Sequence, residues 1–556
     1  MSKPLPGRLV AEVRRVTCII VCGATAVITS ASHARAASVP ATWQPSQVGQ
    51  QDVASAPDSV AATPRKTVAK PTRRPKRRAA RSSLSRGEIA ASRAPVLSWS
   101  SPRGADALAS DLGAALTQHT RRGQWGVIVV SLSRGDTLFE SHPDAMMQPA
   151  STMKVYTSVL ALDRFGPDHH FTTAVLRDSQ ITPDGVLQGN LYLRGGGDPS
   201  LSPRFWGTVN PMDSLARLVV TAGVRRVHGD IVGDATAFDS QLVPEGWQPR
   251  YLGAAYAARV SALSLDENLV WVVVQPDGKK AMVSLDPATT SIPVQSTVRV
   301  VRGRGGRISA VRQKDGSILV RGSIGASSGP LRYSLVVDDP ASFTTGALRA
   351  ALEKAGVVID GGVTFAATPA AATSVASIES PSLANILTEM NRESINLYAE
   401  LLFRDAAHAD SGQVGSARAG LATLRSLLAD KIRARPEDVE ASDGSGLSVL
   451  DRVTPRSMVE ILSFAHQAPW GATFHASLPL EGESGTLRHR ARHTPARGNL
   501  HAKTGTTNTV ASLGGYVTAK NGEILAFSFL YNGTDRGRAK LAMDQMGATL
   551  AEFVRE

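Results

Sequence analysis

An interruption in the helical periodicity restricts this chain more than any other feature. Two β-rich runs around a Ser-Arg-Gly-Asp turn (GQWGVIVVSLSRGDTLFESH, 123–142) read as a hairpin and lead into PASTMKVYTSVLAL (149–162), where apolar residues recur at helical spacing. Residues 173–376 then change texture: they are rich in Val, Thr and Gly, with short strand-like runs such as ENLVWVVVQP and GSILVRGSIG. Helical periodicity returns from 380. Residues 382–408 read as one long helix, or two with a break near Asn391–Ser394. SARAGLATLRSLLADKI reads as a helix, and so does TPRSMVEILSFAHQA, with Thr454 as its N-cap and Pro455 at its first position. Strands over 501–533 flank a Lys520-Asn521-Gly522 turn, and an amphipathic helix ends the chain. Neither flank offers a complete core alone. The expectation is therefore one α+β domain built from 99–172 and 377–556, interrupted by an inserted β-rich region of one or two modules at 173–376, the inner one near 270–340. Roughly 455 residues in the folded part agree with two or three domains.

The first 36 residues read as a secretory signal. Arg14 and Arg15 precede a short apolar run, Val16–Ile28, and Ala34-Arg35-Ala36 fits a cleavage site. The run is short for a membrane span, which disfavours a retained anchor. The residues before Cys22 are Ile-Ile-Val rather than a small residue, which disfavours lipidation. Cys18 and Cys22 are the chain's two cysteines, so a processed chain has no disulfide, no thiolate metal site and no cysteine nucleophile. That suits an oxidising compartment.

Residues 37–98 are Ala-, Pro-, Ser-, Thr- and Arg-rich without hydrophobic periodicity and read as a disordered linker. Residues 65–93 alone hold eleven Lys or Arg against one acid, Glu88, for +10. The whole chain carries +13 and residues 1–64 carry +2, which leaves +1 for 94–556. The high pI belongs to a tail, and the folded part gives no argument for nucleic acid. Such a tail suits an anionic envelope polymer or a membrane surface, the alternative being a solvated linker without a partner.

Three short motifs carry chemistry. Ser151-x-x-Lys154 puts both side chains on one helix face, with the serine in a first turn that favours negative charge. Burial among Val155, Tyr156 and Val159 would leave Lys154 neutral and able to take the serine proton during attack on a carbonyl. No other lysine in the chain has a serine three places before it. Ser394-Ile395-Asn396 is the second motif; alone it reads as a kink or cap. Lys503-Thr504-Gly505, followed by Thr506 and Thr507, is the third; its glycine admits a substrate backbone and its hydroxyls suit a carboxylate.

In this order the three resemble the motif set of β-lactamases and penicillin-binding proteins. The blocks GNLYLRGGGDPSLS, GDIVGDATAFD, ARVSALSLDEN, DGSGLS, ESGTLRHR and HAKTGTTNTVASLGGYV further resemble the D-alanyl-D-alanine carboxypeptidase/endopeptidase family, the low-molecular-mass class C penicillin-binding proteins, over about 105–553. The long insertion between the first two motifs is typical of that family and absent from β-lactamases. The resemblance implies a β-lactamase/transpeptidase-like fold, an antiparallel sheet with helices on both faces, interrupted by β-rich domains. It implies a periplasmic serine peptidase, soluble or peripherally attached to the membrane, that cuts D-Ala-D-Ala termini and D-Ala–diaminopimelate cross-links of peptidoglycan stem peptides and is acylated by β-lactams. Ser151 would be the nucleophile and Lys154 its base. Ser394 would relay a proton to the leaving group, with Asn396 on the substrate amide and Lys154, and Lys503 tuning the relay. Thr504, Gly505 and Thr506 would hold the terminal carboxylate, and the backbone N–H groups of Ser151 and Thr506 would form the oxyanion hole.

Two alternative readings compete with this one. A β-lactamase needs an efficient deacylating base, which no loop obviously supplies. A non-catalytic wall-binding protein has no need to keep Ser151, Lys154, Ser394, Asn396, Lys503 and Thr504 together. Relatives often carry Arg where DGSGLSVLDR has Val449; that cation helps hold the substrate's side-chain carboxylate, and the expectation is weak discrimination there, with Arg452 the nearest replacement. Tyr256 lies in a block that borders the cleft in relatives and is read as a subsite residue. His489, His493 and His501 read as solvated or packing residues, and neither a metal nor a cofactor is expected. GGGDPS reads as a turn and GRGGR (303–307) as a basic loop tip.

Overall fold

Strands from both ends of the chain meet in one antiparallel sheet. The computed structural model describes residues 97–555; the segment read as an export signal and all but the last two residues of the segment read as a linker over 37–98 lie outside them. The sheet runs His501–Thr506, Val510–Thr518, Ile524–Asn532, Gln124–Ser131, Thr137–Ser141. Its middle strands are buried almost throughout, because helices cover both faces. Alternate residues feed two cores. Val127, Val129 and Phe527 pack with helices Ala105–His119 and Arg536–Glu552 through Leu112 and Met543. Ile128, Tyr516 and Leu530 pack with helices Met153–Phe165 and Pro455–Gln467 through Val159 and Ile461.

Met153–Phe165 is apolar enough to be buried on every side over its first ten residues, and it stops at Gly166, whose φ of 78° suits glycine. The stretch read as one helix or two is two, Leu383–Glu393 and Asn396–Ser411, broken at Ser394 in the left-handed conformation (φ 58°). Thr454 caps Pro455–Gln467 as read, accepting the Ser457 N–H at 3.0 Å.

Between these parts lie two nested layers. The outer one holds a five-stranded mixed sheet, ordered Val363–Phe365, Ile231–Asp234, Leu191–Arg194, Thr172–Arg177, Thr373–Glu379. Helices Pro211–Thr221 and Pro340–Lys354 belong to the same layer, which is therefore α/β rather than all β. The helices were hidden by the strand-like texture around them. Asn210 and Asp339, each followed by proline, cap them by accepting backbone N–H groups. The inner layer is a six-stranded sheet within Leu269–Val336. GGGDPS is a turn region, with Gly197 N–H bonded to the Ala262 carbonyl. Of GRGGR, residues 303–305 form an exposed loop and Gly306 and Arg307 open a strand. Among the described residues no helix is long and apolar enough to cross a membrane.

Replacing the buried Thr454 by Ala leaves the Ser457 N–H unpaired. We expect a loss of about 1 kcal/mol, read as a thermal midpoint about 2 °C lower; an unchanged midpoint removes the cap from the account.

Candidate active site

The turn that carries Ser151 is pinned before the helix begins. Ala150–Thr152 form a single 3₁₀ turn leading into Met153–Phe165, and Ala150 has a φ of 48°. Gln148 exchanges two hydrogen bonds with the Asn532 side chain, its N–H donating at 2.8 Å and its carbonyl accepting at 3.0 Å. The Pro149 carbonyl accepts from Thr152 Oγ1 (2.7 Å) and Ser512 Oγ (2.6 Å). The strand His501–Thr506 crosses so close that a Cβ on Gly505 would lie 3.0 Å from the Ser151 nitrogen and 2.7 Å from the Pro149 oxygen. Only glycine fits there, and what approaches it is the nucleophile turn of the chain itself.

Lys154 is fully buried, and its Nζ donates to Asn396 Oδ1 (2.6 Å), the Ser445 carbonyl (2.8 Å) and Ser151 Oγ (3.2 Å). Asn396 in turn donates from Nδ2 to the Tyr256 carbonyl at 2.8 Å. Tyr256 thus reaches the site through its backbone, while its ring is half exposed and packs edge-on against Tyr251. Lys503 Nζ donates to Ser394 Oγ (2.9 Å) and the Thr504 carbonyl (3.0 Å). Thr504 Oγ1 donates to Thr486 Oγ1 at 2.7 Å, and Thr506 is exposed at the strand end. The third sequence motif therefore meets the first two. The histidines go elsewhere: His501 packs against His475 with the rings tilted at 40°, and His489 touches Arg492.

Sequence reasoning missed what holds Lys154 from below. Asp443, fully buried, accepts from the backbone N–H groups of Ser445 (3.0 Å), Gly446 (2.6 Å) and Ser448 (2.7 Å), from Ser445 Oγ (3.2 Å) and from the Trp247 indole (2.7 Å). These bonds fold the DGSGLS loop so that the Ser445 carbonyl faces Lys154. Glu400 and Asp451 lie beside it; burial, with the Asp443 charge, pushes Glu400 up to about 8 and Asp451 well above the carboxylate range. Burial brings Lys154 down to about 8, opposed by the charges of Asp443, Glu400 and Asp451. Lys503 is brought well down by burial and by Lys154. The only signal in the sequence was the DGSGLS block itself.

Beside Ala150 opens a cavity of about 100 Å³, lined in part by Arg250, Tyr251, Val449, Thr507 and Asn508. The Arg250 guanidinium lies 5.2 Å from the Tyr251 ring centre. Arg452 does not line this cavity, and its guanidinium is tied to the Val449 (2.9 Å) and Asp451 (2.7 Å) carbonyls. Arg250, on the insertion, is the cation on this cavity.

A serine beside a buried, partly neutral lysine, at the start of a helix packed on an antiparallel sheet, defines a serine acyl-transfer enzyme of the β-lactamase-like fold. The chain belongs to the D-Ala-D-Ala carboxypeptidase 3 (S13) family, whose model matches residues 108–553. It is 35% identical over 481 residues to the D-alanyl-D-alanine carboxypeptidase of Actinomadura sp. (strain R39), covering 83% of this chain and 87% of that one. It is 26% identical to the D-alanyl-D-alanine carboxypeptidase DacB of Haemophilus influenzae, covering 83% of this chain and 95% of the relative. The crystal structure of penicillin binding protein 4 (dacB) from Haemophilus influenzae shares the fold, with a TM-score of 0.66 at 24% identity over 78% of this chain and 98% of that one.

Gly446, with φ 80°, passes so near the nucleophile turn that a Cβ would stand 1.8 Å from the Ala150 oxygen. Gly446→Ala must shift either the loop or the turn. Acylation by a fluorescent penicillin should fall about 100-fold while the circular dichroism stays that of a folded chain. Wild-type acylation in the variant would show that the loop does not set the geometry.

Proposed function

We propose that the chain hydrolyses D-Ala-D-Ala termini and D-Ala–diaminopimelate cross-links of peptidoglycan through an acyl-enzyme on Ser151. The observation that carries this reading is the 3.2 Å contact between Ser151 Oγ and a fully buried Lys154 whose amine is brought down to about 8. Lys154 takes the Ser151 proton as Oγ attacks the D-Ala carbonyl. The backbone N–H groups of Ser151 and Thr506 receive the developing oxyanion, a contribution of about 3–4 kcal/mol to the barrier. Ser394, held by Lys503, passes a proton to the departing amine as the C–N bond breaks. Asn396 orients Lys154 and the substrate amide. Thr504 and Thr506, on either side of Gly505, hold the terminal carboxylate, and Thr486 fixes the Thr504 hydroxyl. Water then releases the acyl group, and β-lactams acylate the same oxygen. Work on peptidoglycan agrees with an exported, periplasmic enzyme whose basic segment 65–93 meets an anionic envelope polymer or a membrane surface.

Acylation requires neutral Lys154. With its folded value near 8, the neutral fraction grows as pH rises and saturates above it. The rate of labelling by a fluorescent penicillin should rise about tenfold per pH unit below that value and level off above. The label should map to Ser151 and vanish in Ser151→Ala. A rate that stays flat through this range removes Lys154 as the base.

Arg250 gives the substrate side chain a cationic contact that Val449 does not. Acyl donors with a free side-chain carboxylate should exceed amidated ones in kcat/KM by about fivefold, the effect of about 1 kcal/mol for a charge pair at an open cavity mouth. Arg250→Ala should abolish that preference and spare the amidated donor. Equal use of both donors by the wild type would return to weak discrimination.

A further inference from the structure

We propose that the solvent face of the inner six-stranded sheet, within 269–336, is a docking surface for a linear phosphate-bearing polyanion. Residues 269–336 hold ten Lys or Arg and three acids, a net +7, although residues 94–556 as a whole carry +1. The excess is concentrated in one module, and the rest of that stretch is correspondingly acidic.

Strand register puts the charge on one face. Lys280 stands opposite Arg299, Arg299 opposite Ser323, and Ser323 opposite Arg307, a single row across four strands. In the next row Thr297 stands beside Arg321 and Arg321 beside Ser309. At a strand spacing of about 4.8 Å the row is about 14 Å long. The other face supplies Val272, Ile318, Val320 and Ile324 to the core, so the basic face is the outward one. Lys279, Lys280, Arg299, Arg302, Arg307 and Arg321 are all exposed, and among the described residues none makes an ion pair with an acid. Of the acids here, Asp286 is paired with Arg332, and Asp277 stands opposite Lys280 at the end of the row.

Like charges directly opposite each other on a sheet are unfavourable. Lys280 beside Arg299, without an acid between them, is an arrangement that an anionic partner relieves. Charge complementarity selects a polyanion, and the hydroxyls of Thr297, Ser309 and Ser323 between the cations suit phosphate oxygens. A lipid surface fits less well. Exposed apolar side chains on this face, Met282, Val301 and Val311, are small and scattered, and Trp271 sits under the Arg332 guanidinium at 5.3 Å.

The test uses the full chain, so that segment 65–93 is common to every variant, with labelled long-chain inorganic polyphosphate as the probe. Lys280→Ser, Arg299→Ser, Arg307→Ser and Arg321→Ser combined should weaken binding about tenfold at about 0.15 M salt and lower the slope of log affinity against log salt by about 3. Lysine at the three arginine positions should keep both near wild type. Penicillin acylation of Ser151, to which none of the four contributes, should be unchanged; if it falls, the pair Arg299→Ser and Arg307→Ser gives the same reading on a lighter change. Unaltered affinity and slope in a variant that still acylates would overturn the proposal. It would also be overturned if the variants lose only their binding to vesicles of phosphatidylglycerol and phosphatidylcholine, an outcome that assigns the face to a membrane.

Discussion

A single amine, Lys154 Nζ, organises the site. It is fully buried, and its three acceptors, Ser151 Oγ, Asn396 Oδ1 and the Ser445 carbonyl, come from three distant parts of the sequence. Burial alone would drive the proton off, and the negative groups beneath pull it back. The balance leaves an amine that is protonated for part of the time near neutral pH and can shed and recover one proton per turnover. Such a balance needs fixed geometry, since both desolvation and Coulomb energy change steeply over a few tenths of an ångström at low dielectric. Asp443 provides the rigidity: five donors converge on its two oxygens. Asp451 and Glu400, their carboxyls raised by burial and by the Asp443 charge, lie buried beside it.

The second lysine follows the same logic. Lys503 is buried with Lys154 among its neighbours, and each ammonium disfavours the other. The two lysines address different hydroxyls, Ser151 and Ser394. Two hydroxyls held by two separate amines suit the proposed reaction, in which the nucleophile is deprotonated and the leaving amine protonated. Ser394 reaches Lys503 from a left-handed backbone between two helices, a conformation that costs a non-glycine residue about 1–3 kcal/mol and is often kept at working sites.

Local chemistry made much of this legible in the sequence. The break at Asn391–Ser394, the Thr454 cap, the Lys520–Gly522 hairpin and the glycine of the third motif are all written within a few residues, and all appear in the fold. The helices Pro211–Thr221 and Pro340–Lys354 were equally local but stood among Val- and Thr-rich runs whose strand-like texture outweighed their caps. Asp443, Trp247, Thr486 and Arg250 were illegible for another reason. Thr486 meets Thr504 across 18 residues and Trp247 meets Asp443 across 196, while Arg250 reaches the Val449 cavity from the insertion. Nothing in the spacing of residues announces such a partner. The meeting of Arg250, on the insertion, with Val449 on one cavity is of this kind: the two are adjacent only in space.

The insertion between the first two motifs leaves the catalytic fold intact because its ends are paired. Thr172 and Glu379 are register partners on adjacent antiparallel strands, so the chain leaves and returns at almost one point. The neck is zipped further by Ser380 N–H to the Phe171 carbonyl, Leu383 N–H to the His169 carbonyl and Ala384 N–H to the Pro167 carbonyl. The same device recurs one level in, where Leu269 and Val336, the ends of the inner sheet, are also partners. Closing a long loop costs entropy that grows only with the logarithm of its length, and antiparallel ends offset that cost where it arises. Each layer can therefore change its outer surface without disturbing the layer beneath. The outer layer has used its position to send the Trp247 indole and the Tyr256 carbonyl back to the site. Among the described residues the inner sheet contributes nothing to the catalytic hydrogen-bond network, and within 94–556 it is there that positive charge is concentrated.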